Sequence, residues 1–449
     1  MKTPFEDLGP EFADATSPAN FPLHMLRYRN DRAAKSVGLD QLSDEKWVKH
    51  FGFFESFSNN IQNPLAIRYH GHQFRQYNPE IGDGRGFLFA QLRDNQGRLL
   101  DLGTKGSGQT PYSRFGDGRL TLKGGVREVL ATEMLEASGV YTSKTLSLIE
   151  TGEALHRNDE PSPARSSVMV RLSHSHIRFG AFQRLAYFDD TENLEKLIRH
   201  VRDYYHADIP DSDIQSLAPA ILQRIAECTA RMVASWMAAG FVHGVMNTDN
   251  MNVTGETFDF GPYRFIPTSN PGFTAAYFDQ NGLYAFGRQP QAALWNLKQL
   301  ASTFSLVSEV DTLTEALQAF EAAYQTALRD NMFFQLGIQG ADLDSDLTFL
   351  QNLFNWMTET QIPWHQFFFD WFGGNLSKER SQASPSAEYY RAAAFSAVQD
   401  ALTAYTPDRP ERLNAPYFRR RQPETLLIDE IESLWNAIAS EDDWSLFHA

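Results

Sequence analysis

The stretch that decides the fold is a polar loop, HGVMNTDN at residues 243–250, followed by DFG at residues 259–261. Phe241-Val242 and Phe258–Phe260 flank this loop and are predicted as short strands. Asn250 and Asp259 then stand at a loop end and a strand end, where they offer an amide oxygen and a carboxylate. Mg²⁺ prefers such hard oxygen ligands and takes the remainder from phosphates and water. We therefore predict that Asn250 and Asp259 bind a divalent metal together with a nucleoside triphosphate.

The spacing within this loop resembles that of a protein-kinase catalytic loop. Such loops place an Asp two residues after the His and an Asn five residues further, with DFG downstream. His243 and Asn250 fit this spacing, but the position of the usual base holds Val245. Asp249 stands next to the predicted metal ligand and could accept a proton from an attacking hydroxyl. The alternative is a polar loop whose Asn and Asp side chains only cap turns.

A lysine and a glutamate form the second predicted constellation. Lys105 follows a predicted strand at 99–102, and Glu128 lies in a helix that Gly124-Gly125 is predicted to open, away from its apolar stripe. In kinases, a strand lysine that reaches the phosphates is held by a helix glutamate. We therefore expect Lys105 to pair with Glu128, the alternative being two solvated surface charges.

Three glycine-rich stretches precede this helix: residues 82–86 (GDGRG), 103–108 (GTKGSG) and 116–118 (GDG). Glycines let backbone amides approach phosphate oxygens closely. No P-loop pattern is present, and Phe87 occupies the position where a dinucleotide fingerprint needs a glycine.

Two arginines extend the predicted phosphate site. Arg171 and Arg178 are seven residues apart, and guanidinium groups clamp phosphates with paired hydrogen bonds. Between them, His174 and His176 would point the same way on an extended segment. Without a third ligand at suitable spacing, a hydrogen-bonded structural role is favoured for these histidines over metal binding.

The order of predicted elements favours an α+β, protein-kinase-like bilobal fold. Strands are predicted at 87–92, 99–102 and 167–172, and helices dominate after about residue 190, including one at 214–239. We predict four regions: an N-terminal extension (1–80), a nucleotide-binding N-terminal lobe (81–185), a helical C-terminal lobe with the catalytic loop (186–380) and a helical C-terminal extension (381–449). Residues 381–386, rich in Ser, Ala and Pro, are predicted as a linker.

Composition narrows the class of protein. The net charge of −16 disfavours general binding to nucleic acid or anionic membrane. No stretch approaches the roughly 20 apolar residues of a membrane span, and the N-terminus has no signal-peptide pattern. Cys228, the single cysteine, excludes an internal disulfide and is expected to be a small buried side chain. These features predict a cytoplasmic protein.

Four longer motifs resemble the selenoprotein O (SelO/YdiU) family. They are YHGHQF at 69–74, GDGRG at 82–86, LGTKGSGQTPYSR at 102–114 and HGVMNTDNM at 243–251. The family has a kinase-like fold that binds ATP in a reversed orientation. Its members transfer AMP, in some cases UMP from UTP, to Ser, Thr, Tyr or His side chains of target proteins.

The resemblance implies a role for each matching residue. Asp249 would be the proton acceptor, Glu128 would hold Lys105, and Mg²⁺ or Mn²⁺ would be bound by Asn250 and Asp259. The residues implied in nucleotide contact are Gly82, Gly84, Arg85, Lys105, Asp117, Gly118, Arg171 and Arg178. Many members end in a Cys or selenocysteine, which this chain lacks, so redox control through a terminal thiol is not expected.

Two other functions fit the same residues. A γ-phosphoryl kinase is supported by DFG but opposed by Val245. A nucleotide-binding pseudokinase that acts only as a regulatory module is opposed by the complete metal pair and Asp249. The oligomeric state does not follow from the sequence.

Overall fold

The computed structural model of the protein describes residues 2–158 and 160–449. Its strands are β1 (Ala13–Ala15), β2 (Met25–Arg29), β3 (Leu65–Ile67), β4 (Gly71–Gln73), β5 (Gln76–Asn78), β6 (Leu88–Arg93), β7 (Leu99–Lys105), β8 (Leu120–Thr121), β9 (Lys144–Leu155), β10 (Ala164–Ser173), β11 (Phe241–Val242) and β12 (Arg264–Phe265). Its helices are α1 (Asp31–Ser36), α2 (Asp44–Phe51), α3 (Leu122–Ala137), α4 (Phe179–Tyr187), α5 (Thr191–Tyr205), α6 (Ile214–Ala239), α7 (Gln289–Phe304), α8 (Val310–Leu317), α9 (Ala319–Leu336), α10 (Leu343–Thr360), α11 (Trp364–Asp370), α12 (Lys378–Gln382), α13 (Ala387–Arg391), α14 (Ser396–Ala404), α15 (Ile428–Glu441) and α16 (Ser445–His448).

An antiparallel sheet forms the N-terminal lobe. In the described part of the chain its order is β1-β3-β6-β7-β10-β9-β2, and β8 also pairs with β10. Residues 1–80, predicted as an extension, supply β1, β2 and β3 to the two edges of this sheet. Every residue of β7 is buried because β6 and β10 flank it on both sides. This central strand carries Lys105 at its end.

Helix α3 packs against the sheet and presents a glutamate to it. Thr121 caps its N-terminus by accepting a hydrogen bond from Gly124 N, so the helix begins just before the predicted glycine pair. Val126 and Val129 are buried against Leu148 and Met169 of the sheet. Glu128 is buried as well, which excludes the alternative of a solvated glutamate.

The C-terminal lobe is built around the long helix α6. Its observed bounds match the predicted helix at 214–239, and Gly240, with φ +64°, ends it in the left-handed conformation. Helices α7, α8 and α9 surround it, and Leu222, Ile225 and Trp236 are buried in the shared core. A strand-rich lobe therefore precedes a helical lobe, which confirms the predicted bilobal fold. No helix in the described residues has the length and apolar content needed to cross a membrane.

One predicted strand is wrong. Phe258–Phe260 is irregular, because Asp259 adopts a φ of +63°, which no strand residue can have. The partner of β11 is β12, Arg264–Phe265. The positive φ bends the chain at the residue predicted to bind metal.

The predicted linker at residues 381–386 is also wrong. Ser381 and Ser386 are buried, and the hydroxyl of Ser384 donates to Asp370. The chain continues through α13 and α14. Phe395, which directly precedes α14, and Leu402 of α14 belong to the same core as Trp371. Hydrogen bonding by the serines thus fixes a segment whose composition alone suggested flexibility.

The last helices return to the N-terminal lobe. Ile438 of α15 is buried among the apolar residues of α3, and Glu432 pairs with Lys123 at 2.7 Å. Asp442 accepts hydrogen bonds from Arg27 and Arg165, which belong to the sheet. We call residues 428–448 the C-terminal clasp, because they hold α3 and the sheet from outside.

Candidate functional site

A cleft of about 770 Å³ lies between the two lobes. It brings together every residue predicted for the site except Glu128, which lies behind Lys105. The predicted residues that line it are Gly82, Gly84, Arg85, Lys105, Asp117, Gly118, Arg171, Arg178, Asp249, Asn250 and Asp259.

The predicted lysine–glutamate pair is present. Nζ of Lys105 contacts the carboxylate of Glu128 and lies 3.1 Å from Oδ1 of Asp259. Both Lys105 and Glu128 are buried, so neither charge is compensated by water. The strand end and the helix therefore fix the ammonium group at the floor of the cleft.

Asp259 stands at the centre of a cluster of positive charge. Arg178 donates to Oδ2 at 2.7 Å, and Arg171 donates to Oδ1 at 3.0 Å. Burial alone would raise the pKa of the Asp259 carboxyl, but the charges of Arg171, Lys105 and Arg178 outweigh it and hold that pKa well below its usual range. The carboxylate is therefore ionised and available as a ligand at neutral pH.

The two arginines retain unused donors. Among the described residues, Nε and Nη1 of Arg171 and Nε of Arg178 are buried without a hydrogen-bond partner. Buried guanidinium donors left unpaired are costly, and an anion with several oxygens satisfies them. The deep end of the cleft thus fits phosphate groups.

The glycine stretches form the roof of the cleft. Gly82 and Gly84 lie against Tyr112, so that a Cβ at Gly84 would come 2.9 Å from the Tyr112 carbonyl oxygen. The hydroxyl of Ser113 donates to the carbonyl of Gly84, which joins the first stretch to the loop after β7. Gly118 has a φ of +70° and lies against the backbone of Gly108. The absence of side chains thus lets these backbones approach one another above the cleft.

The charged residues of the roof lie toward the solvent. Arg85 is exposed, and Asp117 pairs with Arg157 at 2.8 Å on the rim. Phe115 next to it is fully exposed. The cleft is therefore most cationic at its buried end and has an aromatic side chain at its mouth.

The catalytic-type loop occupies the opposite wall. His243 stacks on Trp236 and bonds through Nε2 to the carbonyl of Phe258 at 3.0 Å, which ties the loop to the segment carrying Asp259. Burial lowers the pKa of His243, so its imidazole is neutral. Asn250 donates through Nδ2 to Val245 O at 2.9 Å. Its other amide atom, Oδ1, is not used by this bond.

Asp249 has the properties of a proton acceptor. Its side chain is nearly buried, and Oδ1 has no hydrogen-bond partner among the described residues. Burial raises the pKa of Asp249 to about 6, although the charge of Arg178 opposes the rise. A base with a pKa near the working pH accepts protons efficiently.

The donor set suits a hard divalent cation. Asn250 and Asp259 both line the cleft and present oxygen atoms. The described residues hold no cluster of three or more His, Cys, Asp or Glu side chains that could enclose a metal. At a nucleotide, Mg²⁺ is usually bound by one or two protein ligands, and phosphate and water oxygens complete its coordination shell.

The hairpin β4–β5 contacts the catalytic-type loop, although no function was predicted for it from the sequence. His72 N donates to Thr248 Oγ1 at 2.7 Å, and Phe74 N donates to Asn247 Oδ1 at 3.0 Å. Gln73 between them lines the cleft and points its amide at Asp249. The motif at residues 69–74 was visible in the sequence, but its contact with residues 247–249 was not.

The expectation that His174 and His176 point the same way is wrong. Ser175 between them has a φ of +95°, which breaks the extended geometry. His174 Nδ1 bonds to the hydroxyl of Tyr141 at 2.6 Å, whereas His176 lies 3.4 Å from Asp101. The hydrogen bond of His174 agrees with the favoured structural role, whereas neither ring nitrogen of His176 has a hydrogen-bond partner among the described residues.

The fold and this cleft define a two-lobed, kinase-like protein whose cleft offers cationic side chains and unpaired donors, among the described residues, to phosphate groups. The chain belongs to the SelO family, because the family model described as protein adenylyltransferase SelO matches residues 1–449.

Relatives of the chain carry a consistent name. It is 42% identical to "Protein nucleotidyltransferase YdiU" of Trichodesmium erythraeum, over 98% of this chain and 95% of the relative. It is 44% identical to the protein of the same name from Synechocystis, over 99% and 95%. Among solved structures, ROP2 of Toxoplasma gondii, described as having a protein-kinase fold and no enzymatic activity, aligns over 66% of this chain and 84% of its own, with 12% identity and a TM-score of 0.27.

Proposed function

We propose that the protein transfers AMP from ATP to side chains of target proteins and releases pyrophosphate. Its family and its relatives' names support protein nucleotidyl transfer. The acceptors we propose are Ser, Thr and Tyr hydroxyl groups and the His imidazole, and UTP is a second candidate donor that would give UMP transfer.

The distribution of positive charge along the cleft is the observation that favours AMP transfer over phosphate transfer. Lys105, Arg171 and Arg178 lie at the buried end, where the two arginines have donors that no described residue pairs with. A triphosphate that enters with its β- and γ-phosphates toward these cations leaves the adenosine at the mouth, near Phe115 and Tyr112. The α-phosphorus is then the reachable one.

The residues of the chain account for the steps. Asp249 takes the proton from the acceptor hydroxyl, whose oxygen forms a bond to the α-phosphorus. The bond from that phosphorus to the bridging oxygen breaks, and pyrophosphate carries the electron pair away. Lys105 and the two arginines stabilise its negative charge electrostatically. Glu128 keeps Lys105 in place for this task.

We propose Mg²⁺ or Mn²⁺ as the cofactor, held by Asn250 and Asp259. When bound, the cation would neutralise phosphate charge and orient the phosphates. The low pKa of Asp259 supports this assignment, since the carboxylate needs no deprotonation before it binds a cation.

Labelled ATP tests the proposal. The protein is incubated with Mg²⁺ or Mn²⁺ and ATP labelled at the α- or the γ-phosphate, with the chain itself and a casein mixture as acceptors. We expect covalent label from the α position alone, lost in Asp249→Asn and kept in Asp208→Asn, an exposed aspartate paired with Arg224. Label from the γ position alone would instead establish a kinase, and repetition with α-labelled UTP measures UMP transfer.

A further inference from the structure

The hairpin β4–β5 contacts three consecutive residues, 247–249, of the loop that carries the proposed base Asp249. The backbone amides of His72 and Phe74 bond to the side chains of Thr248 and Asn247. Gly71 lies so close that a Cβ there would be 3.2 Å from Oδ1 of Asp249. Neighbouring residues of the hairpin thus support the loop that carries Asp249.

Gln73 is the member of this hairpin that reaches Asp249. Its Nε2 lies 3.5 Å from Oδ2 of Asp249, and its Oε1 accepts from Asn78 Nδ2 at 3.1 Å. The bond to Asn78 fixes which end of the amide faces the carboxylate. Among the residues that the structure describes, no other side chain hydrogen-bonds to this carboxylate.

The Asp249 carboxylate is confined on both sides. Oδ1 is buried near Gly71, without a hydrogen-bond partner among the described residues, and Oδ2 is directed at Gln73. A carboxylate held by one donor loses the rotation that would turn it away from the cleft. Hydrogen bonds of catalytic groups are often long without substrate and shorten in the reacting complex, so 3.5 Å is compatible with this function.

We propose that Gln73 is a positioning residue: its amide N–H holds the Asp249 carboxylate in the orientation in which it meets the acceptor hydroxyl. The inference rests on the proposed function, in which Asp249 is the proton acceptor. It assigns Gln73 to the acceptor side of the cleft and not to nucleotide binding, since the cationic cluster around Asp259 is made without it.

Gln73→Met tests this assignment, because methionine has nearly the same length and no N–H. Gln76→Met is the matched control: Gln76 pairs with Gln73 in the hairpin but is exposed. Transfer of α-label from ATP is followed at varied ATP concentration, and melting temperature and ATP affinity are measured on the same samples. Misplacing a catalytic group by about 1 Å costs up to roughly 100-fold in rate.

We expect kcat to fall about 10- to 100-fold in Gln73→Met, with KM for ATP, ATP affinity and melting temperature unchanged. Gln76→Met should match the wild-type protein. Unchanged kcat in Gln73→Met would overturn the inference, as would a fall in ATP affinity or melting temperature that accounts for the loss. Absence of α-label transfer by the wild-type protein would overturn the proposed function instead, and this inference with it.

Discussion

Asp259→Asn separates the two tasks of the carboxylate, holding the arginines and binding a cation. The substitution keeps the shape of the side chain and removes its charge. Lys105 keeps Glu128 as a partner, but Arg171 and Arg178 lose the carboxylate to which they donate at 3.0 and 2.7 Å. Breaking a buried ion pair by removing one partner costs about 3–5 kcal/mol.

This cost converts to a measurable change in melting temperature. The unfolding entropy is roughly 2.1 cal/mol/K per residue, which for 449 residues gives about 0.9 kcal/mol/K. We therefore expect the ligand-free variant to melt about 3–5 °C below the wild-type protein. Asp208→Asn, which breaks an exposed pair with Arg224, should change the melting temperature by about 1 °C or less.

Ligands should affect the variant and the wild-type protein differently. ATP without metal offers oxygens to the released arginines, so it should raise the melting temperature of Asp259→Asn more than that of the wild-type protein. Adding Mg²⁺ or Mn²⁺ should then stabilise only the wild-type complex, and α-label transfer by the variant should be lost. Differential scanning fluorimetry with and without EDTA measures these shifts. A variant with unchanged melting temperature and full metal-dependent transfer would refute both assignments.

Two other substitutions test the structure away from the cleft. Burial raises the pKa of Glu256 to about 8, although a hydrogen bond from the backbone N–H of His174 opposes the rise. The folded chain therefore keeps a proton on Glu256 that the unfolded chain loses near pH 4.5. Stability should therefore fall as pH rises between these values. Glu256→Gln should remove that part of the fall, which is measured as the free energy of unfolding from urea titrations at several pH values. An equal dependence on pH in both proteins would contradict the raised pKa of Glu256. Ile438→Ala should lower the free energy of unfolding by about 2–5 kcal/mol, because it opens a cavity against α3, and it should also reduce α-label transfer. Transfer at the full wild-type rate would show that the position of α3 does not depend on the clasp.

Local patterns in the sequence predicted which residues meet in the cleft. The spacing of His243 and Asn250 identified the catalytic-type loop, and helical periodicity with Gly240 gave the bounds of α6. The pairing of Lys105 with Glu128 followed from a known arrangement of strand and helix. These features depend on residues close in sequence or on a recurrent motif.

Other features depend on contacts between distant residues, which leave no periodic signal. Gln73 and Asp249 are 176 residues apart, and nothing in the residues around Gln73 indicates their contact. Asp259 has a positive φ and forms ion pairs with Lys105, Arg171 and Arg178. The apolar residues on either side of it predicted a strand, because such a pattern reveals neither feature. The segment around Ser384 was predicted to be a linker because composition does not show that Asp370 accepts a hydrogen bond from the Ser384 hydroxyl.

The C-terminal clasp links the position of Lys105 to a segment far along the chain. Helix α3, which holds Glu128 against Lys105, is packed against Ile438 of α15, and Lys123 at its start pairs with Glu432. A partner that displaced the clasp would therefore act on the buried end of the cleft through α3, without entering the cleft itself.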